Sequence, residues 1–517
     1  MTADLLTFGP AAVGAVLFLL LAAWCFSMRR VDRSLAVLGL YLGLLDGYLK
    51  LRTGNQAITL ARDGLVIAIA GGALLRSMNS HKPMALPPLG GLVIAFAAVV
   101  FIELFNPSAP GIIQGLAGVR THLEFVPLFF LGYAFVRRES QVRGLVIILV
   151  VCAAAGGVVS LIQSLLTPEQ FARWGPGYSE RILGTGVFAG AGRQGIDAAG
   201  NLSVRPFGLG SDEGAGALVA ALGLPGLIAL LMNASGKARL ALAPAAVGIA
   251  LAVIVSGSRG ATVAAIVSVL AFGLVAAVSK DARRAIVGLA LGAALLFIVA
   301  QQLGPSNPAK NRARSVAPDK ILTTFSQERG SSVRLFEDYA ARYPLGLGVG
   351  TVGPAATVAG QRNRTGLNTE TLWNYLVIET GLAGLAIILA LFFRLMWLAL
   401  TRTRRIVDPT IRLYLAALAA PLFSMVVAGF GGISTIAVPF GPYLWLAAGV
   451  LSYWLITCAR SSPRPPGTHG SAVADAAGKH HEAARPHRPP RRPELVGSPA
   501  AQPPATLASD QPSPGLS

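Results

Sequence analysis

The chain has 517 residues, of which 53% are hydrophobic and only 13% are charged, and its mean hydropathy is +0.61. Soluble domains carry about 25% charged residues, so this composition excludes an ordinary soluble globular protein. A lipid bilayer solvates such an apolar surface, and the composition therefore predicts an integral membrane protein.

The net charge of +19 would indicate a nucleic-acid partner in a soluble protein. Here the basic residues lie in short loops and in the C-terminal tail, where membrane topology and anionic lipids explain them without nucleic acid. The three cysteines, Cys25, Cys152 and Cys458, fall within apolar runs and show no metal-binding spacing. We therefore expect neither disulfides nor a metal site.

Apolar runs of about 20 residues, the length of a membrane-spanning helix, follow one another along the chain. They lie near residues 8–27, 34–50, 58–76, 87–105, 121–137, 143–166, 213–233, 238–256, 260–279, 285–302, 372–400, 411–430 and 437–458. Strands open to lipid would leave backbone groups unpaired, so these runs predict an all-α bundle of about 12–13 transmembrane helices. The weakest run is 34–50, which is short and contains Asp46.

The orientation follows from Lys and Arg residues in alternate loops, because these residues favour the cytoplasmic side. Six short loops are basic, through Arg29, Arg30 and Arg33; Arg76 and Lys82; Arg137, Arg138 and Arg143; Lys237 and Arg239; Lys280, Arg283 and Arg284; and Arg402, Arg404, Arg405 and Arg412. With these loops in the cytoplasm, the C-terminus lies inside. The long loops 167–212 and 303–371 then lie outside, together with the smaller loop 106–120.

The loop 303–371 contains a short helical pattern. Apolar or aromatic residues recur at helical spacing within 331–343, which predicts an amphipathic helix that lies at the membrane surface or caps the bundle; they are Val333, Phe336, Ala340 and Tyr343. From about residue 461 onward, Pro, Ala and Arg replace the large apolar residues. We therefore expect a membrane domain at 1–460 and a disordered cytoplasmic tail at 461–517.

Signature motifs of soluble enzymes are missing from the sequence. It contains no phosphate-binding P-loop, no HExxH zinc motif and no nucleophile elbow. The glycine-rich stretch 346–350 precedes no strand–helix unit, so it does not indicate a nucleotide site. What remains is a set of polar residues at the predicted outer surface.

Three arginines stand at this outer surface. The sequence SGSRGA at 256–261 interrupts an apolar stretch and places Arg259 at an external turn, while Arg205 and Arg120 each lie within a few residues of an outer helix start. A guanidinium near a membrane is costly unless it is paired or faces water, and its planar fork matches phosphate oxygens. Snorkelling to the interface would explain Arg259 alone, and an ordinary surface position would explain Arg205 or Arg120 alone. Three on one face indicate a shared phosphate pocket.

Glu370 is the last charged residue before the span at 372–400. It is either a helix-capping carboxylate or a general base that faces the outer cavity. Glu379 follows nine residues later, about 13 Å along a helix and on its opposite face. The two carboxylates are therefore not expected to form an acid–base pair. We expect Glu379 to make a buried hydrogen bond or to pair with an arginine.

Three patches, in order, resemble the O-antigen ligase and Wzy polymerase superfamily of bacterial membrane glycosyltransferases. SGSRGA at 256–261 is similar to the family's Ser-Arg-Gly turn between two spans. SVRLFEDYAARYPLGLGVGTVG at 332–353 resembles its external segment that ends in Pro-Leu-x-Gly-x-Gly. ETLWNYLVIETGLAGL at 370–385 resembles the entry to a late span. The likeness covers roughly residues 110–455.

The resemblance implies a GT-C-like bundle in the bacterial inner membrane that acts, without metal or cofactor, on polyprenyl-diphosphate-linked oligosaccharides at the periplasmic face. It implies catalytic roles for Glu370 and Arg259. Diphosphate binding would fall to Arg259, Arg205 and Arg120, and glycan contacts to Arg334, Asn368 and Tyr375. Asp212 and Glu213 are the nearest metal candidate, and a weak one. A chain-length regulator and a flippase are the partners that the family implies.

One departure bears on the reaction. Ligases of the family have a histidine where this chain has Glu370, which favours a polymerase over a ligase that transfers glycan to lipid A. A secondary transporter or lipid flippase would also explain many spans with scattered charge. However, the sequence shows no convincing internal repeat, and its polar residues cluster at one surface. A scaffold protein that uses the Pro-rich tail would leave the long external loop unexplained.

Overall fold

The computed structural model describes residues 2–55, 57–81, 86–185, 194–196, 202–256, 258–276, 330–356, 367, 369–432 and 438–458. The chain divides into two units, Met1–Ser462 and Pro463–Ser517, and every described residue belongs to the first unit. Outside the described residues lie the predicted span 285–302, much of the predicted loop 303–371 and the predicted tail 461–517.

Helices dominate the described residues. The first group is α1 (Thr2–Ser27), α2 (Val31–Leu40), a π-helical turn (Tyr41–Asp46), α3 (Gly47–Thr53), α4 (Ala57–Asn79), α5 (Gly90–Glu103), α6 (Ile112–Leu123), α7 (Val126–Phe135) and α8 (Glu139–Ser164). A loop region follows with α9 (Pro168–Ala172), α10 (Pro176–Leu183), β1 (Gln194–Ile196) and β2 (Leu202–Val204). The later helices are α11 (Ala215–Asn233), α12 (Gly236–Ala241), α13 (Ala243–Ser256), α14 (Arg259–Ala276), α15 (Gly330–Arg342), α16 (Gly353–Ala356), α17 (Leu372–Arg402), α18 (Pro409–Gly431) and α19 (Phe440–Ser452), which a π-helical turn (Tyr453–Cys458) extends.

Eight helical segments of the described chain are long and apolar enough to cross a membrane. They are Val31–Thr53, Ala57–Asn79, Glu139–Ser164, Ala215–Asn233, Gly236–Ser256, Leu372–Arg405, Pro409–Gly431 and Phe440–Cys458. Shorter apolar helices occupy Val13–Ser27, Gly90–Glu103 and Gly260–Ala276. Helices thus cover every predicted span within the described residues, and the protein is a multi-pass helical membrane protein.

The structure differs from the sequence prediction in three details. The run at 34–50 belongs to a 23-residue segment, Val31–Thr53, because the π-helical turn continues the helix past the buried Asp46. The span at 121–137 is broken between α6 and α7, where Pro127 lies at the helix start and lacks the N–H that a continuous helix needs. The short antiparallel pair of β1 and β2 was not predicted.

Arginines of the predicted cytoplasmic loops contact neighbouring helices at one end of the bundle. Arg404 Nη2 donates to the Leu274 carbonyl oxygen at 3.0 Å, and Arg402 Nη1 donates to that of Leu455 at 3.1 Å. The Arg137 guanidinium lies 5.1 Å from the ring centre of Tyr453. We call this end the basic end.

The opposite end carries the long loops, and we call it the loop end. There Arg52 at the end of α3 donates to the Trp174 carbonyl oxygen between α9 and α10. These short helices cover a small apolar cluster of their own: Leu51, Phe171, Ala172, Tyr178, Ile182, Val204 and Phe207. The described part of the loop 167–212 is therefore folded against the bundle.

Small residues allow the central helices to touch at their backbones. Gly157 of α8 faces the Gly248 carbonyl group of α13 so closely that a methyl group in its place would overlap it. Close approach through small residues is the usual way in which membrane helices gain packing contacts, since lipid provides no hydrophobic force between them.

Candidate functional site

The start of α14, which carries Arg259, lies against the end of α18. Alanine side chains line the contact between α11, α14 and α18, in a cluster of Ala221, Ala264, Ala265 and Ala428. Near the helix ends, a methyl group on Gly260 would lie 4.0 Å from Gly431 Cα. The described structure gives the backbone of Arg259 and not its side chain.

Arg205 lies on the segment that packs beside this turn. A methyl group on Gly214 would lie 3.1 Å from Ser258 Cβ, so the residues just before α11 touch those just before α14. Glu213 is next to this contact, and its Oε1 lies 3.8 Å from Arg205 Nη1. The side chain of Arg205 is 52% exposed, so it keeps its access to solvent.

Glu370 is exposed just before α17. It does not cap the helix: the Thr371 side chain is the N-cap and accepts from the Asn374 N–H at 3.2 Å. The Trp373 ring packs 5.8 Å from that of Phe430, close to the end of α18. The α18 end therefore meets both the residues after Glu370 and the start of α14.

Arg334 reaches the same region through α15. The side-chain nitrogen of Asn374 donates to the Ser332 carbonyl oxygen at 2.9 Å, which attaches α15 to the start of α17. Two residues later, Arg334 is exposed, and its Nε donates to the Gly330 carbonyl oxygen at 3.2 Å. We call Arg205, Arg259, Arg334 and Glu370 the rim cluster.

The predicted amphipathic helix at 331–343 is confirmed as α15. Phe336, Ala340 and Tyr343 pack against the core, as the pattern indicated, while Val333 is 37% exposed. The most buried aromatic residue of α15 is Tyr339, which is 5% exposed. The polar face of α15, which carries Arg334, is left toward solvent.

The structure places one of the other two predicted glycan contacts, Tyr375. Asn368 lies outside the described residues. Tyr375 is fully buried, and its ring stacks on that of His122 with the centres 5.0 Å apart. Because its ring is buried between helices, Tyr375 cannot contact a glycan in this arrangement.

Arg120, the third predicted diphosphate ligand, belongs to a separate group of charges. Its Nε lies 2.5 Å from Asp63 Oδ2, and its Nη2 lies 3.7 Å from Glu124 Oε2. Arg62, which the sequence analysis did not select, contacts three carboxylates: Glu124 at 2.7 Å, Asp46 at 3.5 Å and Asp63 at 3.6 Å. Its side chain is only 6% exposed. We call these five residues the buried charge network.

A second buried pair lies close to this network in the chain. His122 Nε2 is 2.8 Å from Glu379 Oε2, and the other carboxylate oxygen accepts the N–H groups of Gly350 at 3.1 Å and Val352 at 3.0 Å. The buried hydrogen-bonding role expected for Glu379 is therefore observed, with a histidine and two amides as partners in place of an arginine. The sequence did contain a signal for Arg62, because an ionisable residue inside an apolar span usually has a buried partner or a function.

No metal site appears among the residues that the structure describes, judged by groups of three or more His, Cys, Asp or Glu side chains. The weak metal candidate is engaged in ion pairs: Asp212 Oδ1 lies 3.1 Å from Arg181 Nη1, and Glu213 pairs with Arg205. Comparison of the sequence with protein-family models and with curated proteins gives no match. A function for this protein therefore has to be inferred from the rim cluster and from the sequence motifs.

Proposed function

We propose that this protein is a glycosyltransferase of the bacterial inner membrane that polymerises polyprenyl-diphosphate-linked oligosaccharides into a surface polysaccharide, such as an O-antigen or an exopolysaccharide. The observation that carries the proposal is the rim cluster. The segments that carry these four residues come from distant stretches of sequence and contact one another around the ends of α14, α17 and α18, at the end opposite the basic loops. On the positive-inside rule, that end faces the periplasm.

The proposed step is one displacement at the anomeric carbon of the donor glycan. A hydroxyl oxygen of the acceptor sugar bonds to this carbon, and the bond from the carbon to the diphosphate oxygen breaks. The hydroxyl proton passes to Glu370, which is exposed just before α17, next to the N-cap residue Thr371. Negative charge develops on the departing polyprenyl diphosphate, where Arg259 and Arg205 stabilise it.

Arg120 is a weaker candidate in this scheme than the sequence suggested. Its guanidinium is already engaged by Asp63 and Glu124, and a diphosphate would have to compete with both carboxylates. We therefore assign the leaving group to Arg259 and Arg205, with Arg334 as a glycan contact on the exposed face of α15.

The test uses purified protein in lipid nanodiscs with a polyprenyl-diphosphate oligosaccharide. The wild-type protein is expected to lengthen the glycan and release polyprenyl diphosphate. Arg259→Ala is expected to abolish elongation, and Glu370→Gln to slow it about 100-fold or more. Arg342→Ala, which removes a 67% exposed arginine at the far end of α15, is the matched control. Full activity of the Arg259→Ala protein would contradict the assignment.

Polymerase and ligase activities differ in the glycans of a deletion strain. Single repeat units on lipid A indicate a lost polymerase, whereas bare lipid A with accumulated lipid-linked polymer indicates a lost ligase. The polymerase is favoured because the exposed residue before α17 is Glu370, while His122 is buried against Glu379.

A secondary transporter or lipid flippase is the second candidate, and the buried charge network is the feature that suggests it. Ionisable residues inside spans often form ion or proton pathways. Here, however, Arg62 is only 6% exposed and surrounded by three carboxylates, which is typical of a structural ion pair. Proton-driven movement of lipid-linked glycan across vesicles, with no elongation, would support the transporter instead.

A further inference from the structure

A groove of about 500 Å³ opens at the loop end, apart from the rim cluster. Its walls come from α3, the end of α8 and the loop region, through Tyr48, Arg52, Val159, Arg173, Trp174 and Leu209. The chain therefore brings two guanidiniums, two aromatic rings and two aliphatic side chains to one concave surface.

The walls of the groove are fixed by contacts of the protein itself. Arg52 donates to the Trp174 carbonyl oxygen, and Gly175 packs directly on the Arg52 backbone. On the other wall, the Gln163 side chain accepts the N–H groups of Phe207 at 2.9 Å and Gly208 at 2.8 Å. The groove is therefore formed before any ligand arrives, so binding requires little ordering of the chain.

The chemistry of the lining suits an amphiphile with a phosphate head. Val159 and Leu209 provide an apolar wall for a hydrocarbon chain, and aromatic residues favour the boundary between apolar and polar surroundings. Arg173 is exposed, and its guanidinium has no acidic partner within the described part of the chain. Arg52 and Arg173 together match the charge of a diphosphate.

A short segment joins the groove to the rim cluster. Leu209 lines the groove, and Arg205 lies four residues earlier. The intervening turn is held by Gln163, and the Gly214 N–H donates to the Pro206 carbonyl oxygen at 3.0 Å. A lipid diphosphate in the groove would thus lie beside the segment that carries an arginine of the rim cluster.

We propose that this groove holds the diphosphate end of the acceptor, a second lipid-linked glycan, while the rim cluster holds the donor. The inference rests on the proposed function, because joining two lipid-linked glycans brings two lipid diphosphates to the protein at once. The rim cluster provides one site, and the groove provides the second.

Native mass spectrometry of the full-length protein with polyprenyl diphosphate tests the assignment. The wild-type protein is expected to bind two lipids. Arg173→Gln and Val159→Trp, which remove the charge and fill the groove respectively, are each expected to weaken one of them about tenfold. Arg259→Ala is expected to lose the other, and Arg342→Gln neither. Elongation assays should show a raised KM for the acceptor in both groove variants, with kcat little changed.

The outcomes separate the two proposals. Unchanged lipid binding and unchanged acceptor KM in both groove variants overturn the groove assignment, while elongation by the wild-type protein still supports the proposed function. Groove-dependent binding without any elongation contradicts the proposed function and leaves the lipid site standing. Equal, groove-dependent binding of phosphatidylglycerol overturns the assignment of the groove to the substrate.

Discussion

His122 Nε2 lies 2.8 Å from Glu379 Oε2, and the two side chains are 2% and 0% exposed. They join α6 to α17 across 257 residues of sequence. The second oxygen of Glu379 accepts two backbone N–H groups of the stretch 346–352, so one carboxylate attaches this glycine-rich turn to both helices. This contact forms between groups of the protein alone, so substitutions at Glu379 test the fold directly.

Removing the Glu379 carboxylate should destabilise the protein. Glu379→Ala leaves His122 and the N–H groups of Gly350 and Val352 without an acceptor, at a cost of about 1–3 kcal/mol for each buried group left unpaired. Glu379→Gln keeps an amide oxygen for the two N–H groups and should lose less. The thermal midpoint in detergent measures both. Glu337→Ala, on the exposed face of α15, is the control, and equal midpoints for it and Glu379→Ala would refute the role.

The buried charge network should respond strongly to loss of its centre. Arg62→Ala leaves Asp46, Asp63 and Glu124 close together without their shared cation, and breaking such buried pairs costs about 3–5 kcal/mol. We expect little folded protein in size-exclusion profiles. Arg342→Ala breaks an exposed pair with Asp338 and should change the unfolding free energy by at most about 0.5 kcal/mol. Similar profiles for the two variants would show that the network adds no stability.

Two glycines of α8 offer a matched pair. Gly157→Ala places a methyl group against the Gly248 backbone, which cannot yield as a side chain can, and should destabilise the protein by about 1–3 kcal/mol or more. Gly144→Ala meets nothing within 4 Å and should be neutral or stabilising by up to about 1 kcal/mol. Unfolding midpoints in detergent compare them. If both variants unfold alike, α8 and α13 are not in backbone contact.

Membrane sidedness can be measured at two exposed positions. In a background without Cys25, Cys152 and Cys458, a cysteine replaces Leu345, which is 80% exposed at the loop end, or Val407, which is 89% exposed at the basic end. A membrane-impermeant maleimide added to spheroplasts should label Leu345→Cys at once. Val407→Cys should react only after lysis. The reverse pattern would place the rim cluster in the cytoplasm and remove the proposed reaction.

Apolar run lengths were sufficient to predict where the helices lie, because a membrane span must satisfy its backbone internally. The broken span at α6 and α7 was missed, although Pro127 marks the break, since hydropathy alone does not register one missing N–H. The rim residues Arg205, Arg259 and Glu370 were selected from the sequence, and the structure brings their segments together.

Pairing partners from distant stretches of the chain were beyond the reach of the sequence. In the sequence, Arg120 cannot be distinguished from an arginine that is available to bind phosphate. Only the fold shows that Asp63 of α4 forms an ion pair with it. His122 lies two residues further along α6 and was passed over for the same reason, since its partner is 257 residues away. The spacing of residues along the chain shows which face of a helix a residue lies on. Identifying the charged residue that contacts it from another helix requires the tertiary structure.

If the proposed function is correct, the tight crossing of Gly157 and Gly248 also restricts how an isoprenoid tail reaches the protein interior. With the backbones of α8 and α13 touching, no hydrocarbon chain can pass between them at this point, and Gly223 of α11 packs tightly against the Ala153 side chain of α8. These contacts close the seams that α8 forms with α13 and with α11. Any lateral doorway for a lipid-borne glycan must open along a different seam of the bundle.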